Sequence, residues 1–163
     1  RDTVLSSGLG DVYKRQEIEN IFYKIKQNFL NNGYQLILIP SMRTPKKIIE
    51  KAKNYFDDNQ VVITDIDKKA YLSSLRLADH IVVTCDSTSM ISEAAITGKP
   101  IYVAHMPHVK NNDRFKKFFE MFKELNIIRD LNHKVDHWKY EKLNETDRIS
   151  GYIKSKIKNY DIS

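Results

Sequence analysis

The sequence predicts a doubly wound α/β domain built on a mostly parallel sheet. Short apolar runs of four or five residues alternate with longer stretches whose apolar residues recur at helical spacing. That alternation is the pattern of βαβ units. The runs are nearly free of polar residues, as strands covered by helices on both faces require. With 163 residues and 41% hydrophobic content, the chain is long enough to enclose one core of this kind.

The elements follow in order. Residues 1–16 mix Ser-Ser-Gly-Leu-Gly with Asp-Val-Tyr-Lys-Arg-Gln and hold no sustained period. The stretch resembles sequencing-adapter read-through translated at the end of a gene fragment, and it is set aside as non-native. It is expected to pack poorly against the domain proper, residues 17–163. From Glu17 onward, Ile18, Ile21, Phe22, Ile25 and Phe29 mark one face of a helix. Asn31-Asn32-Gly33 ends it, with Gly33 as the left-handed cap. Leu36-Ile37-Leu38-Ile39 reads as a buried strand. Thr44 as cap and Pro45 in the first turn open a helix whose apolar face is Ile48, Ile49, Ala52, Tyr55 and Phe56. Val61-Val62-Ile63 is the next strand, and residues 69–77 the next helix. Ile81-Val82-Val83-Thr84 is a third strand, followed by a helix over 88–97 that Gly98 closes. Residues 100–104 make a fourth strand. A helix bearing Phe115, Phe118, Phe119, Phe122 and Leu125 comes next, and a last helix is expected over about 145–159. A doubly wound domain starts with a strand ahead of its first helix. Here that strand would fall before Glu17, so the sequence reads as lacking it.

Composition narrows the function classes. One cysteine, Cys85, excludes an internal disulfide framework and a multi-cysteine zinc site. No uncharged apolar run approaches the roughly 18–20 residues of a membrane span, and no signal peptide is visible. The formal charge is +6 and the mean hydropathy −0.52. These features place the chain in the cytoplasm, with a peripheral position at the inner membrane as the companion expectation. Residues 111–123 are basic on one side and rich in Phe on the other. The Phe stripe reads as core, while the basic face suits an anionic bilayer surface. Neither a recognition motif nor aromatic–basic interleaving supports a nucleic-acid partner.

Ligands of a parallel sheet bind beyond the carboxyl ends of its strands. Three such ends carry polar residues: Ser41-Met42-Arg43-Thr44, Cys85-Asp86-Ser87-Thr88-Ser89, and His105. At the second, a strand runs straight into a helix start, where free backbone N–H groups and the helix dipole favour an anion. Ser87, Thr88 and Ser89 offer hydroxyls to a phosphate, or one of them simply caps the helix. Arg43 suits bidentate phosphate binding or a solvated surface position. Glu93 suits ribose hydroxyls or complements the dipole. Cys85 reads as a small packed thiol rather than a nucleophile. His105-x-x-His108 and His133-x-x-x-His137 have ligand-like spacing but no evident Cys or carboxylate partner. No metal and no cofactor are expected.

Several segments together carry a family resemblance. Ser41-Met42-Arg43-Thr44-Pro45 is similar to a Ser-Arg-Arg-Thr-Pro segment, with Met42 departing. The stretch from Ala78-Asp79-His80 through Cys85-Asp86-Ser87-Thr88-Ser89 and Glu93-Ala94-Ala95 to Gly98-Lys99-Pro100 follows a 23-residue signature almost throughout. Arg114-Phe115 and Trp138-Lys139-Tyr140, with Leu143-Asn144-Glu145-Thr146, are its later landmarks. These residues resemble the mitochondrial-fission "elongated mitochondria" family and its bacterial relatives, which are described as glycosyltransferases. The resemblance runs from about residue 33 to 153. Lys69-Ala70-Tyr71 departs from the family's Asn-Pro-Tyr, and Ile128-Arg129-Asp130 lacks the Pro that follows the Arg there.

The resemblance implies the C-terminal half of a GT-B fold, in which two Rossmann-like domains face each other across a cleft. That half holds the nucleotide-sugar donor. On this reading Arg43, Thr84, Asp86, Ser87, Ser89 and Glu93 line one open cleft and bind the diphosphate and ribose of a nucleotide sugar without metal. The acceptor site and catalytic base would lie in the absent N-terminal domain, leaving no catalytic residue to assign here and the fragment inactive alone. A non-catalytic adaptor of the same family is the alternative. A nucleotide-sugar 2-epimerase shares the fold but continues its helix with Gly-Gly and paired Glu, where this chain has Thr88-Ser89 and the single Glu93.

Overall fold

The computed structural model describes residues 2–7, 15–106, 113–131 and 134–143. Six strands, β1 (Asp2–Ser7), β2 (Gln35–Pro40), β3 (Val61–Val62), β4 (His80–Thr84), β5 (Ile101–Ala104) and β6 (Ile128–Asp130), form one sheet in the order β3-β2-β1-β4-β5-β6. All five pairings are parallel. The fold is therefore the doubly wound, Rossmann-like arrangement, with the strand order reversing between β1 and β4. Helices α1 (Arg15–Asn28), α2 (Lys46–Tyr55), α3 (Lys68–Leu77), α4 (Thr88–Ala95) and α5 (Asp113–Glu124) connect the strands.

Burial explains why these segments take these forms. Every residue of β4 and β5 is buried, as expected for central strands covered on both faces. Ile18, Ile21, Phe22 and Ile25 of α1, and Phe29 just beyond its end, are all 5% exposed or less, so the predicted face is the packed one. Phe119 and Phe122 of α5 are buried and Phe115 and Phe118 pack against the core, while Lys116 and Lys117 face solvent. Each fully buried Ile or Phe of this set contributes roughly 1.5–3 kcal/mol of transfer free energy.

The structure corrects the sequence reading in several places. The central strand is present. Asp2–Ser7, within the segment set aside as foreign, pairs with β2 from Asp2↔Gln35 to Ser7↔Pro40 and with β4 from Thr3↔His80 to Ser6↔Val83. Asp2–Ser7 is thus a strand of the same sheet. Strand β6 was not anticipated. It is a three-residue edge with one apolar side chain, too short and polar to form a run. Helix α2 starts one residue late: Pro45 is its N-cap, and Thr44 instead closes the preceding turn, its Oγ1 accepting from Ser41 N at 2.9 Å. Helix α4 ends at Ala95, after which Thr97 N and Gly98 N bond three residues back and Gly98 turns the chain at φ +73°. Gly33 (φ +80°) caps a 3-10 turn over Leu30–Asn32 that follows α1. The last predicted helix, about 145–159, lies outside the described residues.

A strap over residues 134–143 crosses the sheet and explains one landmark of the sequence. Trp138 Nε1 donates to Asn126 O at 2.8 Å, and its indole packs under Arg129 at 4.3 Å and against Tyr102 at 5.1 Å. Tyr140 donates to Lys99 O at 2.9 Å. Lys99 in turn reaches back to the last carbonyls of α3, Leu75 O at 2.9 Å and Arg76 O, where a cation complements the helix dipole. Trp138 and Tyr140 therefore act as anchors of this strap.

Candidate functional site at the carboxyl end of β4

The register brings the ends of β2, β1 and β4 level, which sets Cys85–Ser87 at the strand-order reversal, where a parallel sheet of this kind binds ligands. Beyond Thr84 the chain turns tightly, with Ser87 N bonded to Thr84 O at 3.3 Å, and α4 begins. Ser87 is the N-cap by position, yet its side chain makes no capping bond. It is 2% exposed, and its Oγ has no hydrogen-bond partner among the described residues. Of the two readings of this hydroxyl cluster, a simple cap is thereby removed for Ser87.

Arg43 arrives from the other side of β1. The Ser41–Thr44 turn is closed by Thr44 N to Ser41 O at 3.0 Å and braced by Ser41 Oγ, which accepts from Arg43 N at 3.2 Å. From there the guanidinium spans the end of β1 and sets Nη2 3.5 Å from Asp86 O, at the outer limit of a hydrogen bond. The side chain remains exposed.

Of the six residues singled out from the sequence, the structure brings Arg43, Asp86 and Ser87 together. Ser89 is exposed in the first turn of α4. Glu93, one turn further, is exposed and accepts a hydrogen bond from Tyr71 of α3 at 2.9 Å. Thr84 ends β4. At 1% exposure it is as buried as Ser87, and its carbonyl closes the turn by accepting from Ser87 N.

Tyr71 was missed as a member of this group. Burial, reinforced by the bond to Glu93, pushes its hydroxyl well above the ordinary tyrosine range. The signal available was its match to the Tyr of the family's Asn-Pro-Tyr segment. Cys85 is 2% exposed, and burial pushes its thiol up while a backbone bond from Met106 opposes the shift. That is the behaviour of a packed thiol. His105 pairs with Asp130 at 2.6 Å, and His137 meets the Tyr34 hydroxyl at 3.2 Å. Their suggested partners, His108 and His133, lie outside the described residues.

A cavity of about 700 Å³ lies elsewhere, along the β6 edge, lined by Tyr102, Lys123, Arg129, Asp130, Lys134 and Asp136. Its charges are largely satisfied among themselves, Arg129 with Asp136 at 3.2 Å and Lys123 with Asp130 at 2.8 Å. We read it as the groove left where the sheet ends. Among the described residues no helix is long and apolar enough to cross a membrane.

Comparison with known proteins identifies relatives of this chain. The family model for mitochondrial fission ELM1 matches residues 11–157. The uncharacterized protein RP120 of Rickettsia prowazekii (strain Madrid E) is 32% identical over 143 residues, covering 80% of this chain and 40% of that protein. The mitochondrial fission protein ELM1 of Arabidopsis thaliana is 31% identical over 122 residues, covering 72% of this chain and 28% of that protein. The chain thus spans well under half the length of either relative. No solved structure gives a significant match. By the extent of the family match and the two relatives, the chain belongs to the mitochondrial fission ELM1 family.

Proposed function

We propose that this chain is the donor-binding domain of a sugar-transferring enzyme, holding the diphosphate and ribose of a nucleotide sugar at the β4–α4 turn. The observation that carries this reading is the buried Ser87 hydroxyl at the start of α4, unpartnered among the described residues. Leaving such a group unsatisfied costs about 1–3 kcal/mol, a cost that a bound phosphate oxygen would remove. Arg43 brings a positive charge to the adjacent Asp86 carbonyl. The helix dipole and free N–H groups add to the same field, so the developing charge on a leaving diphosphate is stabilised without a metal ion. Ser89 is a second hydroxyl donor. Asp86 and Glu93, both carboxylates, suit hydroxyls of the ligand, with the ribose assigned to Glu93. The acceptor site and catalytic base belong to the part of the longer protein that this chain does not span. The exposed Lys116 and Lys117 of α5 offer a contact to an anionic bilayer surface.

Calorimetry with a nucleoside diphosphate tests the reading. Binding should survive a chelator. Ser87→Ala combined with Ser89→Ala should weaken it by about 1–3 kcal/mol, the scale of hydrogen bonds to a charged acceptor. Glu93→Gln should affect the nucleotide more than inorganic pyrophosphate. Loss of binding with chelator, or equal losses for both ligands in the Glu93 variant, would refute this mechanism. The Arabidopsis relative is named for mitochondrial fission. Absence of binding to any nucleotide would favour a non-catalytic adaptor.

A further inference from the structure

Helix α3 presents one tyrosine to the helix that starts at the Ser87 turn. Asp67 caps α3 through its side chain, which accepts from Lys69 N at 2.8 Å and Ala70 N at 3.0 Å. Tyr71 N then closes the first turn onto Asp67 O at 2.9 Å. Held in this capped turn, Tyr71 is half-buried, and its hydroxyl donates to Glu93 Oε2 of α4 at 2.9 Å. An ionised carboxylate only accepts, so the proton of this bond belongs to the tyrosine. Burial first, and the bond to Glu93 second, push the Tyr71 hydroxyl well above the ordinary range, which keeps it a donor.

Glu93 is in turn placed by α4. It follows Ser89 by four residues on the same helix face, a spacing that sets Cβ atoms about 5–6 Å apart. Both side chains are exposed. The first intrahelical bond of α4 runs from Ile91 N to Ser87 O at 3.1 Å, so the Ser89 N–H lies ahead of the ladder. An anion held at the start of α4 therefore meets a carboxylate one turn further along the same face. On its own that carboxylate opposes the anion. It favours only a ligand that carries hydroxyl hydrogens about one turn, roughly 5.4 Å, from its charge. The ribose of a nucleoside diphosphate supplies them. A glutamate free to rotate loses rotamer freedom when it accepts such hydrogens. The bond from Tyr71 removes part of that freedom beforehand and leaves Oε1 for the ligand.

We propose that Tyr71 is a positioning residue: by holding Glu93 through Oε2 it presets Oε1 to accept from the ribose, and so makes the site select a ribonucleotide over its 2′-deoxy counterpart. The proposal rests on the reading of the Ser87 turn as a diphosphate site. Calorimetry tests it with inorganic pyrophosphate, with the tightest binder among uridine, cytidine, adenosine and guanosine diphosphates, and with the 2′-deoxy form of that nucleotide. The proteins compared are the chain itself, Tyr71→Phe, Glu93→Ala and the double variant; the first substitution keeps the ring and its packing. The chain should bind the ribonucleotide roughly tenfold more tightly than the deoxy form, the scale of one hydrogen bond to a charged acceptor. Tyr71→Phe should lower that preference to about threefold or less, with pyrophosphate affinity kept within about twofold, because the phosphate contacts are untouched. Glu93→Ala should abolish the preference, and Tyr71→Phe should then add nothing, since the tyrosine acts through the carboxylate. A tyrosine that only packs α3 on α4 would weaken all three ligands alike. That uniform loss, a preference unchanged in Tyr71→Phe, or an equal effect of Tyr71→Phe with and without Glu93 would overturn this inference and leave the Ser87 site standing. So would a chain that binds the ribo and deoxy forms equally. No binding of pyrophosphate or of any nucleotide would overturn both.

Discussion

Ser87→Ala should separate a ligand-binding hydroxyl from a structural one by the sign of its effect on stability. A serine that caps a helix loses about 0.5–2 kcal/mol on truncation to alanine, because an orphan backbone donor loses its acceptor. Ser87 makes no such bond, is 2% exposed, and has an Oγ without a partner among the described residues. Truncation therefore removes a buried polar group that gives nothing back in the free protein. The backbone there, φ −123° and ψ 80°, demands no glycine, so alanine fits the position. The variant should be as stable as the parent or more stable by up to about 1 kcal/mol, a fraction of the price of burying an unpaired hydroxyl. For a chain of 163 residues that corresponds to a rise in Tm of up to about 2–4 °C. Urea denaturation of the free protein, read as a midpoint shift at constant slope, measures it. The same variant should bind a nucleoside diphosphate more weakly, so stability and affinity move in opposite directions. A loss of stability of about 1 kcal/mol or more would show that the hydroxyl caps α4 after all, and the argument for a ligand at this turn would fall with it.

How much of this was legible in the sequence depends on how local each signal was. Helix α1 was legible because five residues spaced at i, i+3, i+4, i+7 and i+11 all face the core. Strands β2, β4 and β5 were legible as unbroken apolar runs. Strand β1 was not: Val4 and Leu5 are its two apolar residues, set among Asp2, Thr3, Ser6 and Ser7. Its place in the sheet shows in the pairing to both neighbours, which no periodicity records. The edge strand β6 offered Ile128 alone. At the site, the β4 turn and Arg43 could be found because a topological rule says where ligands bind in a parallel sheet. The pairs Tyr71–Glu93 and His105–Asp130 could not, since 22 and 25 residues separate their members and only the fold brings them together.

Two further predictions concern stability. Tyr71 and Tyr140 both have hydroxyls pushed up by burial, Tyr140 to about 12. Their neutral forms are favoured in the folded state, so their contribution is complete below the ordinary tyrosine pKa of about 10 and is lost as pH rises towards 12. Stability measured by urea should fall over that window, and Tyr71→Phe and Tyr140→Phe should each make the fall shallower; an unchanged slope in both would contradict the assigned burial. The last prediction concerns residues 1–14, which hold the central strand. Asp2–Ser7 is hydrogen-bonded along both edges, to β2 and to β4. Without it the facing backbone N–H and C=O groups of those strands lose their partners, each at a net cost of about 0.5–1.5 kcal/mol, and the sheet loses its continuity where the strand order reverses. Summed over both edges, that loss is on the order of the roughly 5–15 kcal/mol by which a domain is stable. A chain beginning at residue 15 should therefore lose its cooperative thermal transition, and a separate peptide of residues 1–14 should restore part of it. An undiminished Tm in the shortened chain would mean that the segment packs apart from the domain, as its irregular sequence first indicated, and that β2 and β4 are held by other contacts.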